Sequence, residues 1–195
     1  MYDNIWAAYF RRMFPQALYA VHVTADCQIQ RHGSDWIIQT ATAKHPYHVD
    51  CKLRTGTYSD ILLEIYSQCH VNPAMAQRYA EPIARKALRC TPSELYQLFH
   101  PVWKVGWAID ASKDNDFIAY CLPDLNKCTL LPYPTLRVVV HDYWMEWVQR
   151  SGTNGIKFPI YGQNATYTTV NIAVPESLLR EHLDGIRTTC WQKSS

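Results

Sequence analysis

Between residues 35 and 66 three short runs of strand-forming residues follow one another with no room between them for a helix. They are DWIIQTA at 35–41, HVDCKL at 48–53 and DILLEIY at 60–66. Turn-forming residues bound each run: Gly33 and Ser34 before the first, His45 and Pro46 before the second, Thr55, Gly56 and Thr57 before the third. Strands joined by links this short predict an antiparallel meander. Side chains alternate faces along a strand, so Val49, Cys51 and Leu53 point one way while His48, Asp50 and Lys52 point the other. The first set is apolar and suits a core. The second sets a carboxylate beside an ammonium on the opposite face.

Around this centre the chain reads as an α/β protein with a mixed sheet flanked by helices. Ile5, Trp6, Tyr9, Phe10 and Met13 recur at helical spacing and predict an amphipathic helix over 4–14, ended near Pro15. Residues 72–100 predict a helical insertion, with a capping box at Thr91-Pro92-Ser93-Glu94 and a helix start at Pro82. Two strands near Val105–Ile109 and Phe117–Leu122 are expected to pair as a hairpin. A long helix over 135–149, a strand over 166–174 and a short helix from Pro175 to Leu183, stopped by Gly185, complete the order. Residues 1–195 show no repeat, low-complexity tract or Gly/Ser linker, so one domain is expected.

Composition narrows the function classes. A formal net charge of +2 gives no bulk attraction for nucleic acid, so such a partner requires a local basic surface. Arg85 and Arg89, four apart on one helical face beside Lys86, are the best candidates for phosphate contact. Arg31, with Gln28 and Gln30, precedes the first strand and is a further candidate. A solvated helix face and a polar loop are the ordinary alternatives for these groups. Seven Trp and thirteen Tyr offer stacking platforms for unpaired bases besides filling a core. None of the seven cysteines stands at C-x-x-C spacing, which removes a zinc ribbon or redox pair, and P-loop, G-x-S-x-G and G-x-G-x-x-G motifs are missing. The opening residues do not read as a secretory signal, and no apolar run approaches the ~18 residues of a membrane span. A cytoplasmic protein with reduced thiols and no membrane association is expected.

If the strands pair as expected, Asp35, Asp50, Lys52 and Glu64 form an acidic cluster with one fixed cation at a sheet edge. Phosphodiester hydrolysis uses that combination. Carboxylate oxygens, with a peptide carbonyl such as that of Cys51, hold Mg²⁺ or Mn²⁺, and a lysine orients or deprotonates the attacking water. The plainer alternative is an ion pair decorating a solvated strand face. For Glu64, which sits among apolar residues, a metal or cation partner and simple exposure are both open.

Asp35, fourteen intervening residues, and then Asp50-Cys51-Lys52 on the next strand resemble the D…(D/E)-x-K signature of the PD-(D/E)xK, restriction-endonuclease-like nucleases. The flanking segments DCQIQRHGSD at 26–35, DILLEI at 60–65, GWAI at 106–109 and FIAY at 117–120 are similar to those of phage-associated and bacterial nucleases. The resemblance covers roughly residues 26–140. It implies a restriction-endonuclease-like core, metal ligation by Asp35 and Asp50, and Lys52 as the catalytic lysine. It also implies nucleic acid as substrate, DNA rather than RNA, and is compatible with a homodimer. The chain departs from the commoner form in having Asp rather than Glu at position 50, and no glutamate falls in its first helix, where Asp3 is a poor substitute. The alternative within the same fold is a catalytically silent protein that binds nucleic acid or a protein partner.

Overall fold

The computed structural model describes residues 3–23, 33–69, 104–163 and 168–190. The expected helical insertion over 72–100, including Pro82 and the capping box at Thr91, lies outside the described residues. The described chain is mixed α/β and forms two compact units. One holds the described residues up to Tyr58, Ala111–Leu136 and those from Leu183 onward; the other holds those within Ser59–Asp110 and Arg137–His182.

The first unit is built on a six-stranded sheet. Its strands are β1 (Ala17–His22), β2 (Trp36–Thr40), β3 (Tyr47–Leu53), β6 (Phe117–Leu122), β7 (Lys127–Pro132) and β10 (Arg187–Cys190), adjacent in that order. All neighbours pair antiparallel except β3 and β6, which run parallel with Asp50 opposite Ile118 and Lys52 opposite Tyr120. The sheet is therefore mixed. Helix α1 (Asp3–Met13) lays Trp6, Tyr9, Phe10 and Met13 against Trp36, Ile38, Val49, Ala119, Cys121, Cys128 and Leu130. Its aromatic rings interlock, with Phe10 at 5.2 Å from Trp36 and 5.9 Å from Trp6 between centroids. The apolar set of β3 lies on this core, as its alternation predicts: Val49 is fully buried, and Cys51 and Leu53 pack against it partly buried.

The second unit has a four-stranded sheet ordered β5 (Lys104–Val105), β4 (Asp60–Cys69), β9 (Thr168–Pro175), β8 (Lys157–Gln163). Ile61 faces Val174 and Leu63 faces Ile172 across the β4–β9 ladder, and all four are buried. Gly106 passes so close to β4 that a Cβ there would collide with the Glu64 carbonyl, and its N–H bonds the Ile65 carbonyl at 2.8 Å. Helix α2 (Tyr133–Gln149) and helix α3 (Glu176–His182) match the helices expected over 135–149 and 175–183, and Gly185 has the left-handed φ of +83° that a helix stop favours.

Two expectations are corrected. The three consecutive runs do not form one meander: β2 and β3 pair, but β4 leaves for the other sheet and pairs with β9 and β5. Nor do the runs near 105 and 117 form a hairpin, since β5 joins β4 whereas β6 joins β3 and β7. Local turn chemistry favours neighbours in sequence. Burial decides otherwise here, because β6 is buried from Ile118 through Leu122 and so suits a central position.

Candidate functional site

The β2–β3 pairing brings the sequence-predicted aspartates together. Asp35 immediately precedes β2, and its N–H still bonds the Val49 carbonyl at 3.0 Å. Beyond that point the backbone ladder stops, and the Asp35 carboxylate takes over: Oδ2 accepts the Cys51 N–H at 2.8 Å. A side chain thus replaces the strand carbonyl that would otherwise satisfy β3.

Asp50 projects from β3 on the face away from α1. It is 2% exposed, and burial alone would push its carboxyl up; the Lys52 and Lys113 ammoniums together outweigh that and hold it below the ordinary carboxylate value. Lys52 Nζ donates to Asp50 Oδ1 at 2.7 Å and Lys113 Nζ to Oδ2 at 3.0 Å. Asp35 goes the other way. Burial first, then the Asp50 charge, push its carboxyl up, while the Cys51 amide works against the rise. Two neighbouring carboxyls therefore differ in proton affinity: both lysines bond Asp50, whereas on Asp35 the Lys52 charge is outweighed by burial and by the Asp50 charge. Cys51, lying between the charged positions, has its thiol pushed well up by burial and by both aspartates, which disfavours a thiolate nucleophile.

Lys113 was not singled out by sequence. It stands 63 residues from Asp50, in the polar segment SKDND at 112–116 with no motif around it. The parallel β3–β6 pairing brings that segment to the site. The Asp116 N–H bonds the His48 carbonyl at 2.9 Å, and Asp116 Oδ2 accepts the His48 N–H at 2.8 Å. Ser34 Oγ donates to Asn115 Oδ1 at 3.1 Å and lies 3.1 Å from His48 Nδ1. His48 thus anchors the segment, a part its place on the Asp50 face only hinted at. Gly33, at φ +94°, lets the Lys113 stem cross it: a Cβ would sit 3.0 Å from Lys113 Cδ and 3.1 Å from Nζ.

Glu64 is not joined to this cluster by strand pairing. It lies on β4 in the four-stranded sheet, opposite Asn171, and its carbonyl accepts the Ala108 N–H at 3.1 Å. Arg31, Arg85 and Arg89 lie outside the described residues.

As a metal site the cluster offers two hard carboxylates. Among the described residues no three His, Cys, Asp or Glu side chains gather closely enough to hold an ion. Mg²⁺ needs no all-protein cage, since it retains several waters and commonly takes one or two carboxylates plus substrate phosphate. The two ammoniums balance the two carboxylates, and both Asp50 oxygens are already bonded by them. Carboxylates are the hard oxygen donors that a divalent ion takes, with water and phosphate in its other positions. None of the described helices is long and apolar enough to cross a membrane. No family model matches the chain, and neither a curated protein nor a solved structure is significantly similar to it.

Proposed function

We propose that the chain is a Mg²⁺- or Mn²⁺-dependent nuclease hydrolysing phosphodiester bonds in DNA, on a restriction-endonuclease-like core formed around β2, β3 and β6. The observation that carries the reading is the convergence of Asp35, Asp50 and Lys52 from adjacent strands, with Asp50 both buried and held in its charged form. A bound divalent ion would supply charge stabilisation at phosphate and a more acidic water. Asp35 and Asp50 hold that ion. Lys52, fixed two residues along the same strand, orients the water and offsets charge developing on the phosphate. The α1 face supplies rigidity, since Val49, Cys51 and Leu53 lock the strand that carries both functional side chains.

A second reading has its own support. Both Asp50 oxygens already carry ammonium partners, as they would in a catalytically silent protein of this fold that binds nucleic acid or a protein through other surfaces. Melting curves distinguish the two. An ion that binds only the folded chain stabilises it by ~2.7 kcal/mol at a hundredfold excess over its dissociation constant. The nuclease reading expects Mg²⁺ or Mn²⁺ to raise Tm in the native chain and not in Asp50→Asn. The silent reading expects no rise in either.

A further inference from the structure

We infer that Cys121 and Cys128 are an oxidisable pair, closing to a disulfide across the β6–β7 hairpin when a peroxide oxidises Cys121. The inference is independent of the metal-dependent reading and concerns the opposite face of the sheet. The two cysteines do not stand at C-x-x-C spacing; the hairpin sets them directly opposite each other, with both side chains in the core under α1. Cys51, a third free cysteine packed against that core, lies opposite Ala119 instead. Antiparallel pairs alternate between hydrogen-bonded ones, with Cα atoms ~5.5 Å apart, and non-hydrogen-bonded ones at ~4.5 Å with closer side chains. The backbone shows which kind this pair is. The Cys121 carbonyl points away from β7, towards β3, and accepts the Arg54 N–H at 3.0 Å. At the other end of β6 the Asp116 carbonyl accepts the Tyr133 N–H at 2.8 Å, and alternation from that pair again leaves Cys121 and Cys128 without mutual backbone bonds. A ~4.5 Å separation lies within the ~4.4–6.8 Å over which disulfides form, so closure needs no large backbone movement.

The two thiols are not equivalent. Hydrogen bonding with Cys128 outweighs burial and holds the Cys121 thiol below the ordinary cysteine value, whereas burial, and then the same bond, push Cys128 well up. Cys121 is therefore the nucleophile, and Cys128 keeps its proton. The Cys121 thiolate attacks one peroxide oxygen; the O–O bond breaks, leaving a sulfenic acid on Cys121 and a hydroxide. The Cys128 thiol gives its proton to that hydroxide and attacks the sulfenic sulfur, which forms the S–S bond and expels a second hydroxide, protonated to water. Two thiols and one hydrogen peroxide thus give one disulfide and two waters, sulfur being oxidised and peroxide oxygen reduced. Both thiols are 0% exposed, so the reaction waits on local opening. Only the Leu122–Lys127 pair separates them from the turn that follows β6, where Leu125 is 39% exposed. Opening the end of the hairpin costs less than unfolding the sheet. Since β6 is the parallel neighbour of β3, with Cys121 opposite Leu53, the disulfide braces the strand beside the one that carries Asp50.

The test reads the pairing directly. The full chain is treated with hydrogen peroxide under native conditions, freed of peroxide with catalase, alkylated in denaturant and digested with trypsin. Cleavage after Lys113, Lys127 and Arg137 puts the two cysteines on separate peptides, 114–127 and 128–137, neither with another cysteine. Those peptides should be recovered joined, with two of the seven thiols lost and both restored by dithiothreitol. In Cys128→Ser, which keeps a hydrogen-bond donor beside Cys121, dimedone should capture the sulfenic acid on Cys121. In Cys121→Ser it should leave Cys128 unlabelled. All seven thiols surviving peroxide, or cysteines joined in mixed pairs, would overturn the inference on the native chain alone, whatever the variants do. Dimedone on Cys128 in Cys121→Ser would overturn the assigned nucleophile.

Discussion

The two faces of strand β3 are held by different physics. On one, Val49, Cys51 and Leu53 meet the aromatic packing of α1; on the other, Asp50 and Lys52 meet Lys113 and Asp35. Burial on the first face does not depend on which side chains carry protons. Stability on the second is conditional, because it depends on which groups carry protons. A single strand thus joins a rigid apolar face to a charged one.

Substitution on the apolar face should cost the most stability. Phe10→Ala removes a ring that is 1% exposed and packs against Trp6 and Trp36, and it should cost ~3–5 kcal/mol in denaturant unfolding, with the same cost with and without Mg²⁺. A metal-dependent cost would mean that the two faces are not separable.

Asp50→Asn should cost less, ~1–3 kcal/mol, because two charge-assisted hydrogen bonds weaken while packing stays intact. That cost should depend on pH. The folded-state value of Asp50 lies below the ordinary 3.8, so its contribution is present above that value and is lost as pH falls through the depressed folded one. Melting curves of both proteins should therefore converge in acid. A difference that persists there would assign the loss to packing rather than charge.

Gly33→Ala should cost ~1–2 kcal/mol, since φ of +94° disfavours any residue with a Cβ, and the new methyl also crowds Lys113. It should weaken the Lys113–Asp50 contact without touching α1.

The smallest effect carries the opposite sign. Asp35 has a raised carboxyl, so ionised Asp35 penalises the folded state; the penalty is absent below the ordinary 3.8 and complete above the raised folded value. Asp35→Asn keeps an acceptor for the Cys51 N–H and should slightly stabilise the metal-free protein at neutral pH, by less than ~1 kcal/mol. The gain should vanish in acid. A loss of stability at neutral pH would contradict the assigned charge repulsion.

Much of this was legible in the sequence. Alternation in β3 separated the core face from the charged face, helical spacing located α1 and α2, and D…D-x-K marked the two aspartates that β2 and β3 bring together. Pairing between distant segments was not. The parallel β3–β6 contact leaves no local trace, so Lys113 had no signal beyond being a lysine in a polar segment. Four strands carry weak patterns: β1 is a short apolar run without alternation, β7 follows a Pro123–Leu125 3₁₀ turn, β8 contains Pro159 and Gly162 at a sheet edge, and β10 is four residues long. Sequence proximity groups Glu64 with the aspartates, but β4 does not pair with β3 and takes β9 and β5 instead.

If Asp35, Asp50 and Lys52 make a metal-dependent phosphodiesterase, the chain cleaves DNA only when a divalent ion is present. Incubating the native chain and Asp50→Asn with supercoiled, linear and single-stranded DNA, in Mn²⁺ or in EDTA, tests it most directly. Cleavage is expected in Mn²⁺ and not in EDTA, with a loss of at least ~100-fold in Asp50→Asn, the scale on which removing one transition-state stabilising group acts. Cleavage that survives EDTA, or an Asp50→Asn protein as active as the native chain, would contradict it, as would the absence of a Mn²⁺-dependent product from all three substrates.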